Sequence, residues 1–317
     1  MRRVFGPAVF LGLIFWGIRP SSSASAEEPA ASVCFCAYNV RNWLVMSRYV
    51  DERWQEGQPK PESEKAAVIE ILKKIQPDVL GICEIGTRAD LEEIQSRLRT
   101  AGIALPHLHF AQGGDENRRL GLLSRFPITA TVNHEDLRFD QEGHTFPMQR
   151  GILDATLTLP NGNALRCLGV HLKSKRQIPE ADEALLRRNE AHLVRRLIET
   201  LLAENPGLPL LLYGDFNEHR NEPPMKALIG ARTSPTYMED LPLVDRHGEV
   251  WTHFWDSADS YSRFDYCLVS RGLKPWVNKG SSYIYQAPDF DSASDHRPIV
   301  VQLDSPGTKR SAKSGKE

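Results

Sequence analysis

The sequence predicts a mixed α/β (α+β) fold in which sheets pack together and helices cover them from outside. Three observations carry this. Eight short apolar runs have the length of interior strands, only three segments show a helical period, and no composition break divides the chain. Its 317 residues are enough for one large core, and no solenoid or propeller period recurs.

In chain order, the strand-like runs are 33–39, 78–84, 120–123, 151–159, 165–171, 208–214, 264–269 and 298–303. The first helix, 63–75, places Ala67, Ile71 and Ile75 four residues apart and stops before Pro77. The second, 90–100, opens on an Asp-x-x-Glu cap formed by Asp90 and Glu93 and closes before Gly102. The third, 181–203, carries Leu186, Leu193, Leu197 and Leu201 on one face and ends at Pro206-Gly207. Its Arg187, Arg188, Arg195 and Arg196 are expected on the outer face. Residues 46–61 are polar and aromatic-rich and read as a long surface or functional loop.

The termini read differently from the body. Residues 1–26 have the form of a cleavable secretory signal: Arg2-Arg3, an apolar run over 4–18, and Ala24-Ser25-Ala26 before the expected cut after Ala26. That run is shorter than the ~20 apolar residues of a membrane span, and no span is expected in the mature chain. The product is expected to be secreted or periplasmic. The body is then 27–304, and 305–317 is expected to be a disordered basic tail. The formal net charge is −2; three arginines in the signal and a net +3 in the tail leave the body at −8. A body so acidic must meet any polyanion through local patches. Five cysteines show no zinc or redox spacing, and buried free thiols are expected.

Polar residues collect where the strands end. Asn39 closes the first run and Glu84 the second; His171 closes a third, and Asp215 and Asn217 follow a fourth. Asp265 interrupts an apolar run, while Asp295 and His296 precede the last strand. A charge at the end of a buried strand is costly unless it is paired or binds metal. Each residue alone also has a plain structural reading: Glu84 as a turn cap, Asp215 as an Asx-turn, His171 as a hydrogen-bonded core histidine. Together they suit metal-assisted hydrolysis of a phosphate ester. Glu84 and Asp295 offer hard oxygen ligands for Mg2+ (Mn2+ or Ca2+ being alternatives), and Asp215 with Asn217 can align a water. His171 and His296 can donate to phosphate oxygens or move protons, Asp265 can orient a ring, and Arg150 can pair with phosphate. No GxSxG, P-loop, GxGxxG or HExxH motif competes.

The ordered series resembles the endonuclease/exonuclease/phosphatase superfamily. Gly214-Asp215-Phe216-Asn217 and Ser294-Asp295-His296-Arg297-Pro298 carry the likeness, supported by the stretch from Gly121 to Ile128. The resemblance implies a four-layer sandwich, two mixed β-sheets face to face with helices outside. It implies Asn39 and Glu84 at the metal, with Asp295 as a further ligand. Asp215 would orient the attacking water, Asn217 would help position it, and Asp265 would orient His296. Arg263-Phe264-Asp265-Tyr266 departs from the inositol phosphatase motif, and His171 departs from the tyrosine of AP endonucleases. His171-Leu172-Lys173-Ser174-Lys175-Arg176 looks like secreted bacterial nucleases, with Lys173 and Lys175 as phosphate contacts. The expected activity is a metal-dependent endonuclease on DNA or RNA, acting as a monomer. A sphingomyelinase-like phosphodiesterase or small-molecule phosphatase is the alternative, and a non-catalytic binding protein is a third reading. Trp251, Phe254, Trp255 and Tyr261 could stack on bases, meet lipid or simply pack, with packing expected for most.

Overall fold

The computed structural model describes residues 30–307, apart from 135 and 289. The signal-like segment and all but the first three residues of the tail lie outside the described residues. All eight expected strands form, and they fall into two six-stranded sheets. One sheet runs Tyr283–Ile284, Ile299–Ser305, Ala31–Trp43, Val79–Ile85, Arg119–Ser124, His107–Ala111. The other runs Glu239–Asp240, Asp265–Val269, Leu210–Asp215, Ala164–His171, Leu153–Thr158, Ile128–Asn133.

Each sheet has one parallel pair at its centre, Ala31–Trp43 with Val79–Ile85 and Ala164–His171 with Leu210–Asp215. Parallel neighbours need a crossover, and in both cases an amphipathic helix supplies it. Glu62–Ile75 makes the first crossover and Glu183–Glu204 the second. Three apolar layers result. Val33, Phe35, Leu122, Leu153 and Leu211 fill the space between the sheets. Leu72, Ile82 and Leu91 cover the outside of one sheet, and Leu168, Val194 and Leu212 that of the other. The architecture is the four-layer sandwich. Alternation along Val79-Leu80-Gly81-Ile82-Cys83 assigns side chains to the two faces, as the period of two requires.

Tyr213 reaches across the middle layer, and glycines make its slot. A β-carbon on Gly81 would stand 2.0 Å from the Tyr213 ring, and one on Gly169 would stand 2.7 Å from its hydroxyl. All five cysteines are free, and four are buried. Among the described residues no helix is long and apolar enough to cross a membrane.

Several expectations are corrected. The stretch expected as a loop contains a hairpin, Met46–Val50 paired with Arg53–Gln58. Its polar, exposed strands lack the apolar alternation that marks a half-buried sheet. The second helix starts earlier, at Arg88. Thr87 caps it, accepting from the Asp90 amide while Asp90 accepts from the Thr87 amide, so Asp90 is the inner member of the box. Arg187 and Arg195 point inward. Arg187 donates to Glu218 and to the Lys173 carbonyl, and Arg195 to the Thr236 carbonyl, so partners offset the cost of burial. Arg188 and Arg196 do lie on the exposed face. The ordered body also passes residue 304. Ser305 ends the last strand, buried, with its hydroxyl beside the amides of Asn161 and Asn163.

Candidate active site

The functional candidates meet because matching ends of the two sheets face one another. In the second sheet His171, Asp215 and Asp265 occupy directly paired positions on three adjacent strands. In the first, Asn39 pairs with Cys83, and both strands then bulge. The bulges turn Glu84 toward the cleft. Glu84 itself sits at φ 68°, and Arg41 and Asn42 at 47° and 56°. Left-handed backbone is costly for such residues and persists where the surroundings impose it. The Asn42 amide donates to Glu84 Oε2 at 2.9 Å. Asn217 is a further left-handed residue, at φ 50°. Its amide donates to Asp215 Oδ1 at 2.9 Å, so the plain Asx-turn reading of Asp215 holds as well.

That turn leaves Asp215 Oδ2 for the cleft. Asn39 Nδ2 donates to it at 3.1 Å, His171 Nε2 lies 3.4 Å away and His296 Nε2 3.7 Å. His296 Nδ1 lies 2.7 Å from Asp265 Oδ2, which fixes the ring. Asp265 is fixed in turn, its amide donating to Thr252 Oγ1. Ser294 accepts from the His296 amide and donates to the Asn39 carbonyl, joining the first and last strands of the site.

Charge distributes unevenly over this cluster. Burial works against a charged His296, but Asp265 and then Asp215 outweigh it and hold the imidazolium well above its ordinary range. Burial lifts the Asp215 carboxyl to about 7, against the pull of His296. His171 goes the other way. Burial, then the nearby Arg150 and Arg118 charges, keep it neutral. Its Nδ1 is buried without a partner. Arg150 is also buried, 3.2 Å from Asp115 but outside hydrogen-bond geometry, and both Nε and Nη1 lack acceptors. A buried guanidinium with unmet donors beside the cleft is a ready anion site.

Glu190, on the Glu183–Glu204 helix, braces this flank. It accepts the amides of Gln149 at 2.8 Å and Lys173 at 2.6 Å, the neighbours of Arg150 and of the His171 strand end. Burial raises its carboxyl above the usual range. The two lysines expected as phosphate contacts are engaged elsewhere. Lys173 turns inward and donates to the carbonyls of Ser174 and Arg176, and Lys175 pairs with Glu218. Their ammonium groups close the loop after His171, a use that the basic cluster alone did not reveal.

Hard oxygen donors suitable for a divalent cation surround the cleft. Glu84 keeps Oε1 free of hydrogen bonds, 3.9 Å from His171 and 4.0 Å from Arg118. Asn39 Oδ1 accepts only the Arg41 amide, which leaves one lone pair. Asp295 stands on the opposite flank, 3.8 Å from Arg41. Among the described residues, two groups of three ionisable ligands have their atoms within 4.8 Å: Asp215, Asp265 and His296, and His253, Asp295 and His296. The donor set fits a hard cation.

The match of a family model fixes what this arrangement belongs to. The model, described as endonuclease/exonuclease/phosphatase family, matches residues 50–296. The chain belongs to that family. No curated protein matches it by sequence. Among solved structures it is similar to an endonuclease/exonuclease/phosphatase family protein from Bacteroides thetaiotaomicron, with 17% identity, 88% of this chain and 96% of that one covered, and TM-score 0.60. Truncated TDP2 from Caenorhabditis elegans gives 18%, 86%, 98% and 0.57, and sphingomyelinase C from Streptomyces griseocarneus 15%, 86%, 99% and 0.56. At these identities the likeness is one of fold. The chain is a hydrolase of this superfamily.

His253 is the residue that sequence reasoning missed. Its ring stacks on Phe264 at 5.2 Å and tilts against His296 at 4.7 Å, and the two histidines form an isolated backbone bridge. Burial and then the His296 charge lower it to about 4, so it is neutral near pH 7. It stands in an aromatic run twelve residues before Asp265, and nothing in its local sequence marks it. A direct test applies to Glu84. Changing Glu84→Gln removes a charged oxygen from the cation flank, and the half-saturating Mg2+ concentration should rise about tenfold. An unchanged metal titration removes Glu84 from the ligand set.

Proposed function

We propose that the chain is an exported, metal-dependent phosphodiester hydrolase that cuts DNA or RNA. One observation supports this most: Asp215, Asp265 and His296 form a buried acid–imidazole–acid line beside an arginine with two unmet donors. In this reading Arg150 takes a non-bridging phosphate oxygen. Asp215, held by Asn217 and Asn39, orients a water and accepts its proton as the new P–O bond forms. His296 gives its Nε2 proton to the leaving oxygen as the old P–O bond breaks, and Asp265 keeps the ring in place. Neutral His171 donates to phosphate. Mg2+, held by Glu84 and Asn39 with Asp295 as a further donor, would neutralise developing charge on the phosphate. Export rests on the form of residues 1–26. The alternative, a sphingomyelinase-like or small-ester activity, has the fold likeness to sphingomyelinase C in its favour.

The test uses the purified chain with supercoiled plasmid, single-stranded RNA, sphingomyelin vesicles and an inositol phosphate, each with Mg2+ and with chelator. Chelator-sensitive nicking of plasmid or cutting of RNA is expected. Turnover of lipid or inositol phosphate alone would replace the substrate class, and no turnover of any would reject the hydrolytic reading for these substrates.

A further inference from the structure

We propose that two exposed aromatic hairpins beside the site form stacking platforms for the unpaired bases of a nucleic-acid strand. This rests on the nucleic-acid reading of the site and adds how the strand is held on either side of the scissile phosphate.

The first platform is the hairpin that replaced the expected loop. Asp51 and Glu52, at φ 50° and 61°, make a two-residue turn of the type that matches strand twist, which sets the register firmly. Tyr49 and Trp54 lie directly opposite one another, ring centroids 5.8 Å apart, and are 63% and 73% exposed. The root is tied to the site. Arg48 donates to the carbonyl of Asn42, the residue whose amide holds Glu84. The second platform is His253–Trp255 paired with Ser260–Ser262. Trp255 and Tyr261 are both more than half exposed, and Phe254 stacks against Tyr261 at 4.6 Å. Its root is the other flank, where the Phe254 amide donates to the Asp295 carbonyl at 2.9 Å.

Both hairpins thus present large, rigid π-faces from the Glu84 side and the His296 side of the cleft. Base–aromatic stacking tolerates any sequence, because every base has a π-face. The tips argue against insertion into lipid. Asp51 and Glu52 end one hairpin, and Asp256 and Asp259 lie in the turn of the other. A tip entering hydrocarbon would carry those carboxylates with it, out of water and without a partner.

The experiment measures binding in chelator, so no cutting interferes. A labelled single-stranded deoxythymidine oligonucleotide and an abasic strand of equal length are titrated with the full chain, Trp54→Ala and Trp255→Ala. The same proteins are titrated with sphingomyelin vesicles. Each variant should weaken oligonucleotide binding about tenfold and leave abasic binding unchanged. Oligonucleotide affinity of both variants equal to that of the unaltered chain overturns the proposal. Equal weakening on the abasic strand overturns stacking, and loss on vesicles alone assigns the hairpins to lipid. Hydrolysis of bis(p-nitrophenyl) phosphate by the unaltered chain is followed separately. Its absence would reject the hydrolytic reading while the binding result still decides the hairpins.

Discussion

Replacing His296 with Ala should lower the turnover of a phosphodiester about 10³-fold, with the fold intact. The size follows from what the ring does. An imidazole held 2.7 Å from Asp265, its other nitrogen beside Asp215 and Asn39, is placed to transfer a proton and to neutralise phosphate charge. General acid–base groups contribute roughly 10²–10⁴ in rate, and 10³ corresponds to about 4 kcal/mol of transition-state stabilisation. Asp265→Asn keeps the ring but loses the carboxylate that orients it, so a smaller fall of about 10² is expected. Single-turnover rates at saturating Mg2+, with near-ultraviolet circular dichroism as a fold check, provide the measurement. Near-normal turnover by a folded His296→Ala protein would remove the residue from the chemistry.

The largest effect on stability should come from Gly214→Ala. Gly214 lies at φ 134°, between Val170 and Tyr266 in neighbouring strands, immediately before Asp215. A β-carbon there would stand 1.9 Å from the Val170 carbonyl oxygen, a backbone atom that cannot swing away. Added to the backbone strain of a left-handed alanine, the clash should cost about 3–4 kcal/mol, and relieving it moves the strand end that carries Asp215. Thermal unfolding should show a fall of roughly 10 °C or more. Gly57→Ala is the comparison: φ is 68° but nothing lies within 4 Å, so only about 1 kcal/mol is expected. Equal melting of both variants would mean that the close approach at Gly214 does not govern the strand end.

Much of the fold was legible because its signals are local. Apolar runs of strand length, with turns or helical patterns between them, mark the central strands whatever they pack against. The three long helices announced themselves by a period that one face must bury. The candidate site residues were legible for a related reason: Asn39, Glu84, His171 and Asp215 each close a buried run, where an unpaired polar group is costly. The outer hairpins were not legible. Their strands are short and at most half-buried, and their sequences lack the apolar alternation that marks a core strand.

By itself, then, the sequence determined the sandwich class, the helices that cover it and which strand ends carry the polar chemistry. Only the tertiary structure decided which atoms meet. Asn39 and Asp215 are 176 residues apart, and His296 reaches Asp265 only because strand ends of both sheets face one cleft. The same packing turned Arg187 and Arg195 inward, occupied Lys173 and Lys175 within the fold, left Arg150 with open donors and brought an unmarked His253 against His296. Periodicity along a chain records whether a residue is buried. Which partner a charged group finds depends on bulges, on crossovers and on the stacking of sheets, and those are fixed only when distant segments pack together.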